Sequence, residues 1–144
     1  MSNLPNFREI SENFEFLDDW EDRYRYLIEI GQMLSPISEK QRVEENKVHG
    51  CASQVWLVFE DENKSDSLAI YFNGDSDAQI VKGIVGIMIA LFSGLTPDEI
   101  SKIDAVEILE KLNLSEHLTS QRSNGLKAMV ERIHAKARSY KKFT

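Results

Sequence analysis

Cysteine is almost missing from this chain: Cys51 is the only one in 144 residues, and three histidines accompany it. A lone cysteine cannot form an internal disulfide, so no oxidising compartment is implied. Structural zinc and iron–sulfur clusters draw on several thiolate or imidazole ligands, and one cysteine with scattered histidines shows no such spacing. Neither a cofactor nor an intrachain metal site is expected. Long hydrophobic runs are missing too. The longest, residues 83–92, has ten residues, half of the ~20 needed to cross a bilayer. Asn6, Arg8, Glu9 and Glu12 interrupt the first apolar positions, so no signal-peptide pattern opens the sequence. The expectation is a cytoplasmic protein with no membrane partner. Positive charge is scarce, with a net charge of −7, which makes a nucleic acid or other polyphosphate a poor partner.

What is present is ordinary for a globular protein: 42% hydrophobic and 28% charged residues, enough for one core and one domain over 1–144. The basic residues gather late. Between Arg122 and Lys142 there are seven Lys/Arg against Glu131 as the single acid, a solvated helix face or a docking surface for an acidic partner. Phe7, Ile10, Phe14 and Leu17 keep helical spacing. Asp18 or Asp19 can cap a second helix striped by Trp20, Tyr24, Leu27 and Ile28, with Gly31 and Pro36 as its stop signals. Residues 35–47 are polar and aperiodic and read as a loop.

The pattern then changes. Residues 54–60 are rich in Val, Trp and Phe, and Leu68, Ile70 and Phe72 alternate beyond a polar "DENKSD" turn, which predicts a β-hairpin closed by Gly74. Ser76 and Gln79 have the spacing of a capping box for the next helix. That helix, "IVKGIVGIMIALF", is apolar nearly all round and should be the central buried one, with Gly83 and Gly86 admitting a neighbouring backbone. Thr96-Pro97-Asp98-Glu99 combines a capping box with proline at the first helical position. A short helix, another over 106–112, and a long terminal helix striped by Leu126, Met129, Val130, Ile133 and Ala137 follow, the last capped by Thr119 or Ser120. The order of elements implies an α+β fold: a small, hairpin-based antiparallel sheet packed against several helices.

Cys51 stands between Gly50 and the small residues Ala52 and Ser53, immediately before the apolar strand. Bare backbone suits a loop through which a partner must reach the sulfur, whereas a packing cysteine would more naturally sit inside the run from Val55. His49 is two residues away, so in an extended segment the two side chains would share a side. An imidazole there could stabilise the thiolate, which at an ordinary pKa of about 8.5 is a few per cent populated at neutral pH; His49 could equally be a plain loop histidine. His117 and His134 carry no mark of an oriented base. Sulfur transfer demands less apparatus than hydrolysis, namely a reachable, partly ionised thiol.

The segment "VHGCASQVWL" resembles the active-site signature of the SufE family, the sulfur acceptors that work with pyridoxal-phosphate cysteine desulfurases in iron–sulfur cluster assembly. "WEDRYRYLIEIGQML", "GDSDAQIVKGIVGI", "LTPDEI" and "HLTSQRSNGLKAM" resemble further segments of that family, in order, over roughly Trp20 to Met129. The resemblance implies a fold like that of IscU-type scaffold proteins, with Cys51 as the acceptor that carries a persulfide. It places Gly50, Ser53, Gln54 and Trp56 in the signature, and Asp75 and Asp77 in a turn near the cysteine loop. Arg122 falls on the arginine of an S-x-R-S-x-G-L segment. The signature does not require His49. Asp75 and Asp77 could instead favour a helix start through its dipole, and Arg122 could be an ion-pair partner within the fold. The implied partners are a SufS-type cysteine desulfurase and a downstream sulfur recipient, with this chain a carrier and activator, not an enzyme, and a monomer or weak homodimer. Two other classes fit a single reactive thiol: a thiol peroxidase or redox sensor, and a scaffold in which several chains share a cluster.

Overall fold

The computed structural model describes residues 4–51, 53–60, 69–112, 114 and 120–141, with no side-chain description for 120–123, 140 and 141. Two helices open the chain, α1 (Phe7–Phe16) and α2 (Trp20–Gln32). Asn6 caps α1 by accepting from the Glu9 N–H, and Asp19 caps α2 by accepting from the Glu21 N–H. The polar stretch after α2 contains two short 3-10 turns, Glu39–Gln41 and Glu44–Asn46. It leads into an antiparallel pair, β1 (Val55–Phe59) and β2 (Phe72–Ser76), with Val55 opposite Ser76 and Phe59 opposite Phe72. Helices α3 (Gln79–Phe92), α4 (Pro97–Ser101), α5 (Ala105–Lys111) and α6 (Ser120–Lys141) complete the order. The architecture is α+β, a two-stranded sheet packed against helices.

Helix α3 is central because its composition leaves it no polar face to show to water. Ile80, Val81, Ile84, Val85, Ile87, Met88 and Phe92 are all buried, between α2 on one side and β2 on the other. Glycine sets how closely α2 can approach. A Cβ built on Gly83 would lie 2.1 Å from the Leu27 carbonyl oxygen, and one on Gly86 would lie 2.6 Å from the Ile30 Cγ2 methyl. Helix α6 closes the other side, packing along α4 and α5 with Leu126, Met129, Ile133 and Ala137 buried. The Thr96–Glu99 capping box forms as its spacing predicts, with the Thr96 hydroxyl accepting from the Glu99 N–H and Glu99 accepting from the Thr96 N–H.

Several local expectations are corrected. Gly31 does not stop α2. It is buried inside the helix, and a Cβ there would lie 3.0 Å from the Gly83 nitrogen, so its bare surface serves helix contact. Gly74 does not close the hairpin but lies mid-β2, where a Cβ would meet the Trp56 carbonyl oxygen at 2.7 Å and Val85 Cγ1 at 2.8 Å. Ser76 belongs to β2 and does not cap α3. Its hydroxyl donates to the Gln54 carbonyl and accepts from the Ala78 N–H, while Ala78 is the N-cap and makes no side-chain cap. Ile70 pairs with Leu95 in an isolated bridge outside the two strands. The "DENKSD" turn, Leu68 and Thr119 lie outside the described residues.

The Leu27–Gly83 approach yields a quantitative expectation. Gly83→Ala gains about 1 kcal/mol of helix propensity but drives a methyl into a backbone carbonyl, and overpacking of this kind costs about 3 kcal/mol. Urea denaturation should therefore show a clear net loss of stability for Gly83→Ala and a smaller one for Gly86→Ala, whose obstacle is a side-chain methyl. A Gly83→Ala midpoint equal to that of the wild type would refute the packing argument.

Candidate functional site

Cys51 sits in a turn tied at both ends by backbone. The Val48 N–H donates to the Val55 carbonyl at 2.8 Å, and Lys47 forms a bridge with Trp56. Residues 49–54 are thereby closed into a loop at the start of β1. Gly50 makes the reversal with φ of 97°, a left-handed conformation that a side chain resists. Downstream, the Gln54 N–H donates to Asp77 Oδ1 at 3.0 Å, and the Gln54 carbonyl accepts from the Asp77 N–H and from the Ser76 hydroxyl. The exposed Gln54 side chain takes no part in these bonds, and Ser53 beside it is half-buried. Upstream, Arg132 of α6 donates through its guanidinium to the carbonyls of Glu45 and Lys47.

The sulfur lies between this turn and α6. The Cys51 thiol donates to the Gly125 carbonyl at 3.7 Å, within the range for sulfur. Gly125 is buried, and a Cβ on it would stand 3.2 Å from Sγ. The residue as a whole is half-buried, and burial pushes the thiol pKa up. Burial thus favours the thiol over the thiolate. The extended backbone on which His49 would share a side with Cys51 is absent, because Gly50 between them has a positive φ. His49 is 70% exposed and its Nε2 lies 3.2 Å from Glu44 Oε2. His134 packs edge-on against Phe92, and His117 lies outside the described residues.

Asp75 and Asp77 do not share the turn expected of them: Asp75 lies in β2 opposite Trp56 and Asp77 just beyond the strand's end, and their surroundings differ. Asp77 is the residue that pins Gln54. Asp75 is 6% exposed and lies between two cations, with Arg42 Nη2 at 2.5 Å from Oδ2 and Lys82 Nζ at 3.4 Å from Oδ1. The Ser76 N–H also donates to it at 2.8 Å. Burial alone would raise the Asp75 carboxyl, but the Ser76 N–H, the Arg42 guanidinium and Lys82 together outweigh it and hold the pKa below the ordinary aspartate value. Arg42 also lies over the Trp56 ring, 5.1 Å from its centroid. Through Arg42, Asp75 fastens the connection that precedes the cysteine turn onto the sheet. Among the described residues, no three His, Cys, Asp or Glu side chains come together closely enough to hold a metal ion.

The family model for SufE, described as an Fe-S metabolism associated domain, matches residues 8–137. The chain belongs to the SufE family. An uncharacterized SufE-like protein of Rhizobium etli is 52% identical over 135 residues, covering 94% of this chain and 91% of the relative. A second, from Rhizobium meliloti, is 51% identical over 134 residues, covering 93% and 96%. The solution structure of a hypothetical protein from Thermus thermophilus has the same fold, with a TM-score of 0.73 at 22% identity over 95% of this chain and 96% of that one. Membership of this family ties the chain to iron–sulfur metabolism.

Within this SufE-family chain, Cys51, Gly50, Gln54 and Asp77 come together, and His49 turns away. Asp75 is an internal ion-pair residue. Arg122 lies in the first turn of α6, three residues before Gly125, and its side chain is outside the described residues. Sequence reasoning missed Gly125, Arg132, Arg42 and Lys82. For Gly125 there was a signal: a glycine inside a strong helical pattern costs propensity and calls for a close neighbour. The Asp75 site sets a pH dependence. Because its folded pKa is depressed, its contribution to stability is complete above the unfolded aspartate value of about 3.9 and is lost as pH falls through the lower folded value. Arg42→Ala should cost about 2 kcal/mol at neutral pH, and Asp75→Asn should flatten the acid limb of the stability curve, both read by denaturant titration across pH. An acid limb unchanged in Asp75→Asn would overturn this assignment.

Proposed function

We propose that this chain is the sulfur acceptor and activator of a pyridoxal-phosphate-dependent, SufS-type cysteine desulfurase, acting in the cytoplasm and passing sulfur onward for iron–sulfur cluster assembly. The observation that carries the reading is the placement of the single cysteine. It stands in a glycine-reversed turn, fixed at both ends by backbone bonds, with its sulfur at the seam between turn and α6.

In the transfer step the Cys51 thiolate attacks the terminal sulfur of the desulfurase persulfide. The sulfur–sulfur bond on the desulfurase breaks, a new one forms to Cys51 Sγ, and the desulfurase sulfur leaves as a thiolate. No oxidant or reductant is consumed, because the exchange has the form of a thiol–disulfide reaction. Attack on the inner sulfur would instead give a mixed disulfide and expel hydrosulfide, so docking has to aim Cys51 at the outer atom. His49 faces Glu44, so the Cys51 proton passes to solvent or to a group of the partner. Clearing the desulfurase of its persulfide frees it for another turnover, which is the sense in which a carrier activates. Arg122, one helical turn before Gly125, is assigned a partner-contact role.

Incubation with a cysteine desulfurase and L-cysteine should add one sulfur to the intact mass of the wild type and none to Cys51→Ser, with both proteins folded. A wild type that gains no sulfur beside an active desulfurase would sink the proposal. His49→Ala should accept sulfur at close to the wild-type rate, whereas Arg122→Ala should accept it several-fold more slowly with an unchanged melting curve. A large loss in His49→Ala would show that the resting geometry misrepresents the reacting one.

A further inference from the structure

We propose that Gly125 is a positioning residue for Cys51: the bare backbone of α6 at this point seats the sulfur against the Gly125 carbonyl and holds the proton on it. The inference rests on the reading of Cys51 as the sulfur acceptor, but none of its consequences requires the partner.

Three observations converge. The first is fit. A Cβ at residue 125 would stand 3.2 Å from Cys51 Sγ, closer than the two atoms ordinarily rest, and in ordinary contact with its Cβ at 3.5 Å and Cα at 3.6 Å, so Cys51 packs on the face of the helix that the missing Cβ leaves bare. The second is direction, since the thiol donates to the carbonyl of that same glycine. A carbonyl oxygen turned toward sulfur favours S–H over S⁻. The third is that the turn is trimmed to match. Gly50 reaches the helix with φ of 97°, and a Cβ on it would stand 3.5 Å from the Ala128 methyl, one turn along α6 from Gly125. A glycine in this helix is a cost to the helix itself, and the contact with Cys51 supplies a reason for it.

Among the described residues, the charged groups around the turn are engaged elsewhere or exposed. His49 faces Glu44, Asp77 accepts from the Gln54 N–H, and Arg132 is bound to the carbonyls of Glu45 and Lys47. On α6, Lys127 and Glu131 are exposed, and Glu131 pairs with Arg138. Burial also pushes the thiol up. Replacing Gly125 by alanine keeps the carbonyl but adds a methyl 3.2 Å from Sγ, too close for the sulfur to stay where it rests. The sulfur then moves off the helix toward water, loses its acceptor and ionises more readily.

The test is the pH profile of Cys51 alkylation by iodoacetamide, followed by intact mass. Thiolate displaces iodide, so the rate reports the ionised fraction together with access. Gly125→Ala should alkylate roughly tenfold faster than wild type at neutral pH, with the midpoint of its profile moved to lower pH. Asn124→Ala, an exposed neighbour on the same helix, should keep the wild-type profile. A Gly125→Ala profile that superimposes on wild type, or a slower reaction throughout, would overturn the proposal. Should Gly125→Ala fail to fold, the wild-type S–H stretching band decides, since Cys51 is the only thiol in the chain. A band lowered relative to an alkanethiol in hydrocarbon solvent supports the Gly125 bond, and an unshifted band rejects it. Neither readout involves a desulfurase, so failure here leaves the acceptor reading to its own mass test.

Discussion

The structure depends on how closely α3 can lie against α2. With no Cβ at Gly83, the Leu27 carbonyl occupies space that any other residue would fill, and α3 is drawn fully into the interior. Its position fixes what precedes it. Only Asp77 and Ala78 separate β2 from α3, so the depth of the helix sets where Ser76 and Asp77 stand. Those two residues bind the backbone of Gln54 on both its N–H and its carbonyl. A contact between two helices is thereby transmitted, through one short connection, to the residues beside Cys51. Gly74 continues the same logic, since its bare backbone lets Val85 and the Trp56 carbonyl close over β2.

The cysteine turn is held from two directions by different chemistry. From the sheet side it is held by bonds to the backbone of Val48 and Gln54. From the helix side, Arg132 takes the carbonyls that lead into the turn and Gly125 receives the sulfur. Most of these attachments engage main-chain atoms of the loop. The buried Asp75 adds a third anchor. A carboxylate so enclosed is tolerable because two cations and an amide surround it, and one of those cations, Arg42, comes from the connection that feeds the turn. The sheet, that connection and α3 are joined at a single carboxylate.

Much of this was legible in the sequence where the signal is local. The Thr96 capping box, the apolar α3, the stripe of α6 and the Val-, Trp- and Phe-rich run of β1 each reflect one element's own periodicity, composition or end chemistry. The misreadings share a cause. Gly31 and Gly74 were read as punctuation because glycine ends elements by default, yet both are interior positions where another backbone comes close. Ser76 and Gln79 have capping-box spacing, but β2 extends through Ser76 and takes its hydroxyl for Gln54. His49 was placed beside Cys51 by assuming extended backbone, an assumption that the positive φ at Gly50 breaks. That Cys51 stands in a loop at the start of β1 was legible from its small flanking residues. Its partner Gly125, 74 positions away, was not, because no local pattern encodes which helix a loop will rest on.

The resting state of the thiol also bears on which single-cysteine chemistry suits this site. A peroxidase or redox sensor reacts as a thiolate with a small oxidant that needs no docking, so its environment must lower the thiol pKa in the free protein. Here burial acts in the opposite direction, and the imidazole nearest in sequence is turned to a carboxylate. A half-sheltered sulfur whose thiolate is disfavoured by burial suits a small oxidant less well than the proposed reaction, which begins with docking and in which a partner would supply the proton acceptor. The same shelter would be useful after transfer, when a persulfide has to avoid stray thiols and oxidants.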